Sequence, residues 1–388
     1  MDNELLREEA FVMSIPYVVQ SGDTWFRLAE RTGLPIEELA EQNRWMHPGP
    51  KHYLVPGQVL FIPSARLTLT SVEDRERFLA AGTAPYGYAE LMRHIQLLLV
   101  RYPFLQAEWI GRSVLGRSIP VLRLGIGPCE VHFNGSFHAN EWITTPLLMR
   151  FTERLAAAVS GVSEGIGFWN ERDARQMYER LSLWLVPMVN PDGVELVHGG
   201  IWPEHPYASS LLKANRGSLD FSGWKANIHG VDLNDQFPAG WEEERARRRL
   251  VAPCPGPRDY TGIAPLTEPE ALAMAHFTKC RNFQMALAFH TQGEEIYWNY
   301  RGMEPGVSRS IGERLALASG YKLVKLAGSD AGYKDWFIQQ FRRPGYTIEA
   351  GFGSNPLPVA QFGSMYERVE PLMLEACAAA ANQLGTPI

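Results

Sequence analysis

Apolar positions along the chain follow two different periods. Between Tyr88 and Tyr102, Leu91, Ile95, Leu98 and Leu99 recur every three to four residues as one helix face, and Pro103 stops it. Ile143 to Ala158 repeats that spacing as an amphipathic helix. Other stretches are short and mostly apolar: Val131 to Phe133, Leu181 to Val186, Met285 to Phe289, which is continuously so, and Tyr346 to Ile348. Such runs mark strands buried on both faces. Two further strands, around Trp109–Ile110 and from Ile119 to Leu124, precede them. The predicted class is α/β, a mostly parallel mixed sheet flanked by helices. Each buried run also leads into polar chemistry, at His138, at Asn190-Pro-Asp-Gly193, at His290 and at Glu349, and in open α/β sheets ligands bind at the carboxyl ends of strands.

A smaller pattern comes first in the chain. Tyr17-Val-Val-Gln20 alternates as a strand, Ser21-Gly22-Asp23-Thr24 makes a turn and a helix cap, and Trp25, Leu28 and Ala29 begin a helix. Gly33 and Pro35 break it before Ile36, Leu39 and Ala40 form a second helix that closes at Asn43. Pro56-Gly57-Gln58 then turns into Val59 to Pro63. The reading is a βααβ module of the α+β type. The expected division is an extension over 1–15, the module over 16–64, a polar linker over 65–84 with a capped turn at Ser71-Val-Glu-Asp, and a second domain over 85–388.

Composition narrows the choices. Across 388 residues, 45% are hydrophobic and 21% charged, as in globular proteins that bury a large core. A formal charge of -6 with no basic stripe argues against nucleic acid as a partner. The apolar stretches are too short to span a bilayer. The first fifteen residues are acidic and show no secretion signal, so the expected location is the cytoplasm or forespore, with cell-wall association after release. Cys129, Cys254, Cys280 and Cys377 lack CxxC spacing, which suits reduced core thiols.

His138 and Glu141 stand three residues apart after a strand, and both can reach one metal. A catalytic zinc takes three protein ligands and leaves one position open for water, so a third ligand is required. His290, at the end of a buried strand, is the best candidate; His132 falls inside a strand and reads as core, and the remaining histidines have no ligand partner nearby. Together they form a His2Glu set for a single Zn2+, which makes a bound water acidic enough to attack a carbonyl. Glu349, at another strand end, suits a general base that later protonates the leaving amine. Lys225 is the first choice for stabilising the oxyanion, with Arg216 second.

These residues resemble two families. Tyr17 to Pro63, with its Tyr-x-Val-x-x-Gly-Asp-Thr opening, its Asn after the second helix and its Pro-Gly-Gln-x-Leu-x-Ile-Pro close, is similar to the LysM module. That resemblance implies binding of N-acetylglucosamine-containing glycan, chiefly peptidoglycan, through Gly22, Asp23, Thr24 and Asn43. From about Ala84 onwards, His138-x-x-Glu141, Asn190-Pro-Asp-Gly193, Gly230-Val-Asp-Leu-Asn234, Phe289-His290 and Thr347-x-Glu349 fall in the order seen in zinc carboxypeptidases of the carboxypeptidase A type. This implies zinc on His138, Glu141 and His290, with Glu349 as base and acid.

Departures from that pattern bear on substrate. Relatives read Asn-Arg where this chain reads Asn234-Asp235, and the arginine holds a terminal carboxylate; an aspartate there disfavours simple carboxypeptidase action and suits an ammonium or amide. Ala327 stands where relatives carry a mobile tyrosine, for which Tyr333 is the expected substitute. Lys334 takes a position lining the side-chain pocket and favours an acidic group. A residue bearing both ammonium and carboxylate, meso-diaminopimelate, satisfies both charges. The combination resembles bacterial γ-D-glutamyl-L-diamino acid endopeptidases acting on peptidoglycan or muropeptides. The alternative is a zinc carboxypeptidase or amidohydrolase acting on ordinary peptides or acyl amino acids.

Overall fold

The computed structural model describes residues 14–19, 23–32, 34–43, 53–54, 58–63, 85–163, 165–202 and 204–382. Gly22, the 65–84 stretch with its expected capped turn, and most of the 1–15 extension lie outside the described residues.

The first unit pairs β1 (Ser14–Val18) with β2 (Val59–Pro63) in antiparallel register, Tyr17 opposite Leu60. The strand therefore starts three residues before the Tyr17 expected from the pattern. Helices Trp25–Thr32 and Ile36–Gln42 pack on this ribbon. Tyr17, Trp25, Leu28, Leu39, Leu60 and Ile62 are all buried together. Two strands alone cannot hold a fold, and the two helices supply the second layer that a ribbon of this size requires. Phe61 faces the other way, into the main core, with its ring 4.9 Å from that of Trp109.

The larger unit is built on β3 (Gln106–Arg112), β4 (Ser118–Leu124), β5 (Cys129–Gly135), β8 (Leu181–Val186), β9 (Phe283–His290), β10 (Glu295–Tyr297), β11 (Lys322–Val324) and β12 (Gly345–Glu349), while β6 (Gly165–Ile166) and β7 (Trp169–Asn170) form a small separate hairpin. The order across the sheet is β11-β10-β12-β9-β5-β8-β4-β3. The middle four strands, β12, β9, β5 and β8, run parallel, and antiparallel pairs bring in the flanking strands on both sides.

The parallel strands read as largely apolar runs because both faces are covered. Val131, Phe133, Leu183, Leu185, Met285, Leu287 and Phe289 point into one core with helices Tyr88–Arg101, Thr144–Val159 and Phe362–Asn382. Trp184, Val186, Ala286 and Ala288 point into the other, beside helices Pro269–Lys279 and Tyr333–Phe341. Alternation along each strand thus sorts residues between two cores, and each fully buried Leu or Phe contributes roughly 1.5–3 kcal/mol. His132 is wholly buried, stacked on Phe283 at 4.9 Å, the core role its position suggested. Among the described residues, no helix is long and apolar enough to cross a membrane.

Candidate metal and catalytic site

Register places the first pair of functional groups. In the parallel ladder between β9 and β12, His290 lies opposite Glu349, so two strand ends present an imidazole and a carboxyl side by side. β5, next to β9, ends at Gly135, and the chain turns through Ser136 at φ 52 to reach His138. A short 3-10 turn, Ala139–Glu141, then folds Glu141 back toward His138. Asn190 holds this turn to its surroundings. Its amide donates to Phe137 O at 3.2 Å and Ala226 O at 3.0 Å, and its Oδ1 caps the following helix at Gly193 N. The neighbouring Asp192 pairs with Arg117 at 2.6 Å, so the Asn-Pro-Asp-Gly stretch is a structural clasp around the metal-ligand loop.

His138, Glu141 and His290 converge, all buried. His138 Nδ1 lies 2.8 Å from Glu141 Oε1, His290 Nδ1 lies 3.0 Å from Glu141 Oε2, and the two Nδ1 atoms are 3.1 Å apart. Two ring nitrogens and a carboxylate that close do not satisfy one another by hydrogen bonds alone. They fit a zinc ion, whose ligands at about 2.0–2.2 Å in tetrahedral geometry stand roughly 3.3 Å apart. The outward nitrogen of His138, Nε2, meets Asp232 Oδ1 at 3.1 Å, which fixes the ring with Nδ1 inward. Glu141 is further held by Thr291 N at 3.2 Å and Asn355 Nδ2 at 3.3 Å.

Charges in the centre are strongly coupled. Burial lowers His138, but Glu141 outweighs it, with Asp232 adding, and the imidazole ends raised to about 9. Burial pushes Glu141 up while His138 pulls it well below the carboxylate range. Burial and His138 together lower His290. Lys225 donates to Asp232 Oδ2 at 2.9 Å, and that pairing outweighs burial and holds the lysine charged. Lys225 O also accepts from Ala139 N at 3.0 Å, so this cation is fixed to the ligand turn itself. Glu349 is half-buried, and its carboxyl is pushed up to about 8 by burial first and by Glu141 second.

The rim differs from expectation. Asp235 is buried with Arg248 Nε 3.1 Å away, and burial first and Asp232 second push its carboxyl up to about 8, so it does not present a free carboxylate to a substrate ammonium. Lys334 is also buried; its ammonium bonds Asp335 and donates to Asn299 O at 2.8 Å, so it is neither a solvated lysine nor a free reader of acidic groups. Tyr333 is fully buried, with its hydroxyl on Thr278 at 2.9 Å and its ring against Phe137, and it does not substitute for a mobile surface tyrosine. Arg216 is exposed at φ 53, and no contact ties it to the metal centre. Asn234 remains half-exposed at the site, its backbone N–H on Asp232 at 3.1 Å and its Oδ1 accepting from Tyr333 N at 3.2 Å. Ala327 opens on a cavity of about 540 Å³ with Arg301, Lys325, Asp330 and Lys334.

In the small unit, Asn43 is completely buried. Its amide donates to Leu39 O at 2.7 Å and Phe61 O at 2.9 Å, clipping the second helix to β2, so it does not face a glycan. Thr24 is exposed and caps the first helix through Arg27 N at 3.1 Å, and Asp23 accepts from Tyr17 Oη.

Asp232, Asn355 and Arg248 had no role in the sequence reading. Asp232 sits inside the motif Gly230-Val-Asp-Leu-Asn234, which was a visible signal, and Asn355 carried no comparable mark. Arg248 gave none: in Trp241–Arg248 it reads as one more charge on a solvated helix.

Comparison with known proteins agrees with this layout. A model of the zinc carboxypeptidase family matches residues 91–367, and a LysM domain model matches residues 17–63. The chain is 48% identical over 296 residues to "Gamma-D-glutamyl-L-diamino acid endopeptidase 1" of Lysinibacillus sphaericus, covering 76% of this chain and 73% of that protein. It is 39% identical over 342 residues to "Uncharacterized protein YqgT" of Bacillus subtilis, covering 84% and 89%. Among solved structures, carboxypeptidase A of Helicoverpa armigera superposes with TM-score 0.59 at 18% identity, over 86% of this chain and 91% of that one, and bovine thrombin-activatable fibrinolysis inhibitor in complex with a tick carboxypeptidase inhibitor superposes equally well at 15% identity, over 78% and 99%.

Proposed function

The chain belongs to the zinc carboxypeptidase family, with a LysM domain ahead of the peptidase, and on that premise we propose that it hydrolyses the γ-D-glutamyl–meso-diaminopimelate bond of peptidoglycan stem peptides. The observation that carries the catalytic half of this reading is the three-donor cluster His138, Glu141 and His290 with Glu349 in register beside it. The substrate half is supported by likeness to the Lysinibacillus endopeptidase and by the LysM domain, which implies binding to glycan.

His138, Glu141 and His290 would hold a zinc ion, which when bound would supply the Lewis acidity needed to polarise the scissile carbonyl and acidify a water. Glu349 takes the proton from the attacking water and delivers it to the leaving amine; a carboxyl held near neutrality by burial and by Glu141 does both. Lys225, kept charged by Asp232, offsets negative charge growing on the carbonyl oxygen. Asp232 and Asn355 orient His138 and Glu141. Asn234 lines the substrate side. Asp23 and Thr24 remain the proposed glycan contacts on the module.

Mass spectrometry of a synthetic L-alanyl-γ-D-glutamyl-meso-diaminopimelate digest tests this. Release of free diaminopimelate and L-alanyl-D-glutamate is expected. An intact tripeptide, alongside turnover of ordinary C-terminal residues, overturns it.

A further inference from the structure

Beyond the metal ligands lies a second charged site. Asp259, in the loop joining helices Trp241–Arg248 and Pro269–Lys279, adopts φ 65 and points its carboxylate at three cations. Arg248 Nη1 lies 3.2 Å and Lys225 Nζ 3.8 Å from Oδ1, and Arg258 Nε lies 3.0 Å from Oδ2. The Asp259 side chain is 18% exposed and that of Arg258 64%, so the site opens to solvent. It is also close to the chemistry. Asp259 N donates at 3.3 Å to Asp232, the carboxylate that bonds His138, and Lys225 is common to both sites.

The remaining acids are committed elsewhere. Asp235 and Glu244, both buried, hold Arg248 Nε at 3.1 and 2.7 Å and so set the guanidinium in place from behind. Asp232 is shared by His138 and Lys225. Among the described residues, the carboxylate of Asp259 is the one acid here that faces solvent, sits on a loop and makes no other side-chain contact than these cations. Replacing it by another carboxylate leaves the local charge unchanged and returns every donor its partner.

We propose that Lys225, Arg248 and Arg258 form a subsite for the free carboxylate of the substrate's diamino acid, and that Asp259 fills this subsite as an internal stand-in until substrate displaces it. The inference rests on the reading that the substrate is a γ-D-glutamyl-diamino acid peptide. It also accounts for Asp235, which orients Arg248 instead of meeting an ammonium.

Removing the stand-in should help binding, the opposite of what a purely structural ion pair predicts. Asp259→Asn keeps the volume and the backbone donor while deleting the charge. The KM for L-alanyl-γ-D-glutamyl-meso-diaminopimelate is expected to fall about fivefold, the size of one partly exposed ion pair, relative to the KM for the same peptide with its diaminopimelate carboxyls converted to amides. Arg258→Gln, at a mostly exposed position that folding tolerates, should raise the first KM and spare the second. An unchanged ratio in Asp259→Asn, or equal loss on both peptides in Arg258→Gln, overturns the subsite while leaving the substrate reading intact. Wild-type enzyme that cuts neither peptide overturns the substrate reading, and this subsite with it.

Discussion

The metal centre and the charged rim around it are built on opposite plans. At the centre, His290 and Glu349 are delivered by adjacent parallel strands in fixed register, and His138 and Glu141 by a turn that Asn190 clasps. Their polar atoms point at one another or at a shared point. At the rim, Arg247 meets Glu244 and Asp330, Arg248 lies against Asp235 and Glu244, and Lys334 meets Asp335, all carried by helices and loops. The centre is arranged around a ligand, whereas the rim pairs of Arg247 and Lys334 are closed on themselves. Similar residue types therefore have different consequences: at the centre a substitution should change chemistry and spare the fold, and at those rim pairs the reverse.

The largest test falls on Glu349. Glu349→Gln keeps shape and removes the base, so kcat should drop by about a hundred- to ten-thousandfold. Zinc content by elemental analysis and the melting temperature should stay near wild type, because no described side chain bonds Glu349. Near-normal turnover would remove it from the mechanism and erase the contrast.

Lys334 tests the other half. Lys334→Met leaves Asp335 buried without its cation, and stability in urea should fall by about 3–5 kcal/mol, with turnover by the folded fraction little changed. Adding Asp335→Leu should recover most of that loss, since apolar residues replace a buried pair at small cost. A selective rise in KM for acidic substrates, without loss of stability, would instead return Lys334 to the substrate-reading role its position suggested.

These two residues also show how far the sequence could be read. Strand ends were legible because a buried parallel strand is a mostly apolar run and the polar residue that follows it stands out. His138, His290 and Glu349 were singled out in this way and Glu141 by its spacing from His138; the structure brings the three donors together and sets Glu349 opposite His290, and the helices Tyr88–Arg101 and Thr144–Val159 fall within a residue of their apolar spacing. The rim was not legible. Whether Lys334 is solvated or locked to Asp335 depends on how helix Tyr333–Phe341 packs over the second core, and Arg248 meets Asp235 across 12 residues of intervening chain. Asn43 misled for a related reason: an asparagine closing a helix looks exposed, and only the return of β2 shows that both sides of its amide are used.

The centre makes a sharper prediction through protons. In metal-free protein the His138 imidazole is raised to about 9, with Glu141 the main partner that raises it. A raised histidine stabilises the folded state fully below its unfolded value near 6.5 and loses that contribution as pH climbs through 9. Zinc needs the same nitrogen unprotonated, so its apparent affinity should weaken about tenfold for each unit that pH drops below 9, toward 6.5. Chelator competition at pH 6.5, 7.5 and 8.5 measures it, and a flat profile would mean that His138 does not carry that proton. Metal-free protein should meanwhile melt higher at pH 6.5 than at 9.5.

The smallest effect separates fold from binding in the LysM unit. Thr24 Oγ1 accepts from Arg27 N in the first turn of helix Trp25–Thr32, and loss of such a cap costs about 1 kcal/mol. Thr24→Ala should lower the stability of that unit by this amount, and Thr24→Ser should restore it because the hydroxyl returns. Binding to intact sacculi distinguishes the two roles. If Thr24 acts only as a cap, binding follows stability and serine rescues both. Should serine recover the melting temperature while sacculus binding stays weak, the threonine methyl touches the glycan. The module would then resemble the catalytic centre, with an exposed residue committed to a ligand, more than it resembles the self-paired rim.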